Sequence, residues 1–85
     1  MKFNKDKGLL DQITKIDSEK EATEFKESYI EYILKDNKDI KGNRKEAITI
    51  ANSNIGYLAG YCAEKTRNRI HKLFKADHPI FGASY

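Results

Sequence analysis

The chain has one cysteine, one proline, one methionine and no tryptophan in 85 residues. With Cys62 alone, no disulfide closes within a monomer. One Cys together with His71 and His78 falls short of a four-ligand zinc site unless carboxylates help, so no metal is expected. A single domain of this length buries only about 60–65% of the surface exposed by its unfolded chain. Small domains usually add disulfides, a metal or self-association. With the first two set aside, a homo-oligomer is the expectation.

Long apolar runs are also missing. The longest stretch without charge is Ala47 to Ala63, seventeen residues that include Thr49, Asn52, Ser53 and Asn54. A membrane span needs about 20 predominantly apolar residues, so none is expected. Met1-Lys2 leads into polar residues rather than the apolar core of a secretory leader. The lone cysteine and this polar start set the expectation of a reducing, cytoplasmic compartment.

Charged residues make up 34% of the chain, and with a single proline this suits a helical protein better than a sandwich or barrel. The net charge of +3 is unevenly spread. Residues 1–40 hold eight Lys against ten Asp or Glu, and residues 41–85 hold eight Lys or Arg against Glu46, Glu64 and Asp77. The basic half suits an anionic partner, or pairing with the acidic half of the same or a neighbouring chain.

Apolar spacing divides the chain into helices. Leu9, Leu10, Ile13 and Ile16 predict a short amphipathic helix. Ser18 followed by Glu21 has the spacing of a capping box. It opens a second helix with Ala22, Phe25, Tyr29 and Ile33 on its apolar side, widened by Ile30 and Leu34 and ending near Asp36-Asn37. A turn over Ile40–Asn43 leads to another cap, Asn43 with Glu46. Beyond it, Ala47, Ile48, Ala51, Ile55, Leu58, Ala59 and Cys62 share one face of a helix. The opposite face carries Thr49, Asn52, Ser53, Gly56 and Gly60 in place of Lys and Glu. A helix uncharged all round is covered on more than one side. A second stripe, Ala63, Thr66, Ile70, Leu73 and Phe74, continues without Gly or Pro. One helix over 44–75 would be about 48 Å long, so the chain either bends near Gly56–Gly60 or projects into an assembly. The predicted fold is all-α, a single domain over 1–85: a small bundle of three to four helices with a long third helix. Pro79 makes His78 extended or turned, and an apolar tail, Ile80 to Tyr85, follows.

Several residues suggest binding. Gly56-x-x-x-Gly60, with Thr49 and Ser53, forms a small-residue groove. It suits close packing within the chain, an oligomer interface or a ligand surface. Tyr57 and Tyr61 lie one helical turn apart with Asn52 and Asn54 nearby. They read as core, as interface, or as a platform for a base whose edges the amides would meet. Arg67, Arg69, His71, Lys72 and Lys75 form a basic run near a helix end, where cations also favour the helix dipole. In a nucleotide site Arg67, Arg69 and His71, with His78, would meet the phosphates.

Signs of catalysis are lacking. There is no H-E-x-x-H pattern, no glycine-rich phosphate loop, and no base at diagnostic spacing from Ser53 or Ser84. Cys62 falls on the predicted core face, as an inert thiol would. Neither an enzyme nor a cofactor is expected.

The segment Ala51-Asn52-Ser53-Asn54-Ile55-Gly56-Tyr57-Leu58-Ala59-Gly60-Tyr61, with His78-Pro79-Ile80-Phe81-Gly82, resembles a stretch of short uncharacterised phage and prophage proteins. The resemblance covers roughly residues 50–82. It implies a phage accessory protein in the host cytoplasm, antagonising a host defence system by occluding a host protein or sequestering a nucleotide signal. The alternative from the residues is a nucleic-acid-binding protein using Lys65, Arg69, Lys72 and Lys75 on the last helix.

Overall fold

The computed structural model describes residues 1–77, and these fold as a small all-helical bundle. Its helices are α1 (Leu9–Ile13), α2 (Glu19–Asp36), α3 (Arg44–Ala59) and α4 (Glu64–Phe74), with a 3₁₀ turn over Lys38–Ile40. Among the described residues there is no strand, and no helix is long and apolar enough to cross a membrane. The expectations for His78, Pro79 and the apolar tail lie outside the described residues.

Both predicted caps form. Ser18 Oγ accepts from the Glu21 amide at 3.2 Å, and Asn43 Oδ1 accepts from the Glu46 amide at 3.2 Å. Each satisfies one donor that a helix start leaves open. Between α2 and α3 the chain reverses through Lys41 (φ 50°) and Gly42 (φ 76°). Only a residue without a Cβ adopts the second conformation freely.

The stretch 44–75 is two helices. The amides of Gly60, Tyr61 and Cys62 bond to the carbonyls of Tyr57, Leu58 and Ala59, three residues back, which tightens and ends α3. Ala63 is extended (φ −60°, ψ 154°) and restarts the chain as α4. A continuous helix of about 48 Å would overrun the 35 Å longest dimension of the molecule. Breaking it lets α4 fold back and bury Ile70 and Phe74.

The core collects one stripe from each helix. Ile13, Ile16, Phe25, Ile55 and Ile70 are fully buried, each stabilising the fold by about 1.5–3 kcal/mol. Ala47, Ala51 and Ala59 are also fully buried, so α3 presents little more than backbone at those levels. Phe25 meets Phe74 edge-on, with ring centroids 6.1 Å apart. The segment before α1 is held as well. Phe3 packs on Phe25, Tyr29 and Tyr32 at 6.0, 4.7 and 4.9 Å, and its amide donates to Ser28 Oγ at 3.0 Å. Gln12 is only 4% exposed. Its amide group accepts from the Asn4 amide (2.8 Å) and donates to the carbonyls of Asn4 (2.9 Å), Lys7 (3.2 Å) and Gly8 (3.3 Å).

Candidate binding surfaces

Three surfaces stand out, and α3 builds the first. At 100° per residue Thr49, Ser53, Tyr57, Ile50, Tyr61 and Asn54 occupy an arc of about 140°. Thr49, Ser53, Asn54, Tyr57 and Tyr61 are exposed and Ile50 is half-buried, so beyond the first turn, where Lys45 and Glu46 are exposed, this side carries no charge. Tyr57 (48% exposed) and Tyr61 (66%) dominate it. Their rings meet edge-on at 5.4 Å, and their hydroxyls share a hydrogen bond of 2.8 Å. That bond holds the Tyr61 phenol above its ordinary pKa of 10.0. The pair is thus stiffened by its own contacts, which lowers the entropy lost when a partner lands on it.

The neighbouring residues of this helix serve the fold. Asn54 Nδ2 donates to the Tyr29 hydroxyl at 3.0 Å and ties α3 to α2. The Asn52 carbonyl accepts from the Asp77 amide at 3.3 Å, and the Asn52 Oδ1 is buried with no hydrogen-bond partner among the described residues. Gly56 is buried beneath the backbone of Asp77. The contact at Gly56 is made within the chain, by a segment that follows α4 and is not itself a helix. Gly60 is the C-terminal cap of α3 (φ −62°, ψ −20°).

The second surface lies on α4. Lys65, Thr66, Asn68, Arg69 and Lys72 line a shallow concavity of about 640 Å³. Lys65, Asn68 and Lys72 are exposed. Arg69 is half-buried, and its Nη2 donates to the Thr14 carbonyl at 2.6 Å, at the C-terminal end of α1. There it meets both an open carbonyl and the negative end of a short helix.

The set proposed to hold a nucleotide is therefore divided. Asn54 and Tyr57 lie on the exposed side of α3, and Tyr61 stands against Tyr57 just beyond its end. Arg67 is half-buried on the first turn of α4, and Arg69 points to α1. His71 is 7% exposed, with Nδ1 3.4 Å from the Ala76 carbonyl. His78 lies outside the described residues. Among the described residues no three Cys, His, Asp or Glu side chains converge as metal ligands.

The third surface is a groove of about 490 Å³ between α2, α3 and the end of α4. Ala22, Ile30, Ile48, Leu73 and Phe74 supply its apolar lining, and Lys26, Glu27, Arg44 and Lys75 its charged rim. Lys26 Nζ donates to the Phe74 carbonyl at 2.8 Å, closing the C-terminus of α4. Burial lowers the Lys26 pKa from its ordinary 10.5, with Asp77 acting against that shift and Lys75 adding to it. Arg44 makes a two-pronged ion pair with Glu27. The sequence reading missed this site because its parts come from three helices. The available signal was Lys26, four residues from both Ala22 and Ile30 and so set within an otherwise apolar line.

No protein family, characterised protein or solved structure matches the chain.

Proposed function

We propose that this chain is a non-enzymatic binding protein that works by covering a site on a partner protein, with the outward side of α3 as its contact surface. The observation that carries this reading is the Tyr57–Tyr61 pair. Two large aromatics stand exposed, in contact with each other, within a seventeen-residue stretch of a highly charged chain that carries no charge. Tyrosine anchors of this kind concentrate binding energy at protein interfaces, because they bring contact area at small entropic loss. Ser53 and the tyrosine hydroxyls add groups that both donate and accept hydrogen bonds.

In the setting implied by the phage resemblance, the partner is a host protein and the effect is occlusion. Sequestration of a nucleotide is less supported. A base stacked on Tyr57 would draw on phosphate contacts from Arg69, which is engaged with Thr14, and from His71, which is buried. A second reading, nucleic-acid binding, is favoured by the shared concavity of Lys65, Asn68, Arg69 and Lys72.

The test is affinity capture from a bacterial lysate using the wild-type chain and two double variants, Tyr57→Ala/Tyr61→Ala and Lys65→Glu/Lys72→Glu. The expected result is a protein held by the wild type, lost by the tyrosine variant and kept by the lysine variant, with all three melting alike. Capture that ignores the tyrosines overturns the reading. Nucleic acid lost with the lysines, and steeply released between about 50 and 200 mM salt, establishes the second reading.

A further inference from the structure

The groove between α2, α3 and the end of α4 uses no residue of the outward side of α3, and its chemistry differs. Ile48 and Leu73 are left half-exposed at its surface, above the buried Ile30 and Phe74. Apolar surface left at the edge of a core is a standing driving force for burial. Lys26, Arg44 and Lys75 line its rim with Glu27, and the carboxylates of Glu19 and Asp77 lie near the two lysines outside the lining. Arg44 and Glu27 answer each other. Lys75 is an exposed ammonium 3.9 Å from Glu19, a separation at which water screens most of the attraction. Lys26 donates to a neutral carbonyl, in a place buried enough to disfavour its charge. The groove thus pairs an apolar lining with two ammonium groups, of which Lys75 has its nearest described carboxylate at 3.9 Å and Lys26 donates to a carbonyl with Asp77 nearby. Its volume of about 490 Å³ lies within the roughly 300–1,000 Å³ of small-molecule sites.

We propose that this groove binds a small amphipathic monoanion, a free carboxylate on an aliphatic chain. The chain lies along Ile48, Leu73 and Phe74, and the carboxylate meets Lys26 and Lys75. A single negative charge fits better than a di- or triphosphate, because Glu27 stands in the same rim. An aliphatic body fits better than a nucleobase, because the lining is aliphatic apart from Phe74.

The test uses the full chain labelled with ¹⁵N and titrated with decanoate below its micelle concentration. Octanoate, decanol, decyltrimethylammonium and acetate serve as comparisons. Saturable shifts at the amides of Ile48, Leu73, Phe74 and Lys75 are expected. Each added methylene should tighten binding about fourfold. Decanol, acetate and the cationic amphiphile should bind about tenfold more weakly or not at all. Ile48→Glu sets a carboxylate in the groove and should abolish binding. If that variant does not fold, Lys75→Glu on the exposed rim tests the same point and should weaken binding several-fold. Equal binding of decanol and decanoate, shifts centred elsewhere, or binding unaltered by Lys75→Glu would overturn the proposal.

Discussion

The carbonyl oxygen of Asp77 lies directly over Gly56, where a Cβ would come within 1.9 Å of it. The carbonyl carbon of Asp77 would be 2.9 Å away and its amide nitrogen 3.2 Å. The Asp77 amide also donates to the Asn52 carbonyl, one turn earlier on α3. The chain leaving α4 is thus laid backbone-to-backbone across α3, and only glycine leaves room for it.

Gly56→Ala sets two effects against each other. Alanine favours the helix by about 1 kcal/mol over glycine. Its methyl group meets backbone, which cannot rotate away as a side chain can, and overpacking of this kind costs about 1–3 kcal/mol. The clash should win because the approach is so short. A lowered melting temperature is expected, by several degrees for each kcal/mol lost in a domain this small. A melting temperature that is unchanged or raised would show that the Asp77 segment does not rest on Gly56 in solution.

Arg69 joins the last helix to the first. α1 has only five residues, too short to persist without tertiary contacts. Arg69→Ala removes the guanidinium from the Thr14 carbonyl and leaves that acceptor open. A hydrogen bond to a charged group contributes about 1.5–3 kcal/mol, and a loss of that order is expected in denaturant unfolding. The local signature is faster amide hydrogen exchange at the end of α1. A variant that keeps its stability and exchange pattern but loses affinity for a polyanion would return Arg69 to a ligand role.

The helices were legible in the sequence because local signals settle them. Ser18 with Glu21, and Asn43 with Glu46, mark helix starts, and the periodic apolar residues mark what is buried. The fate of 44–75 was open because the break contains no proline, and Gly60 caps α3 in an ordinary right-handed conformation. The decision lies in tertiary packing: Ile70 and Phe74 reach the core only if the chain folds back. The candidate sites were less legible for the same reason. Tyr57 and Tyr61 stand together because the tightened turn that ends α3 keeps them four residues and about one turn apart. The role of Arg69 depends on Thr14, 55 residues away, and that of Lys26 on Phe74, 48 residues away. Gln12 reads as an ordinary polar position on a short helix. Only the loop folding over it makes it a buried clamp.

Tyr29 offers a test of the α2–α3 contact through pH. Burial raises its pKa above the ordinary 10.0, the bond from Asn54 opposes the shift, and Tyr32 adds to it. A raised folded-state pKa means that the unfolded chain loses the phenolic proton first as pH rises. The stabilising contribution is therefore complete below about pH 10 and is lost as pH climbs from there through the folded-state value. Tyr29→Phe removes the titrating group and leaves Asn54 Nδ2 without its acceptor. Near pH 8 the variant should be less stable by about 0.5–1.5 kcal/mol. Between pH 8 and 10.5 it should lose less stability than the wild type, because the two proteins differ only in the titrating group at position 29. Urea unfolding at the two pH values measures both effects. Equal alkaline losses in the two proteins would place the sensitivity on other groups and leave Tyr29 without the buried environment that the fold gives it.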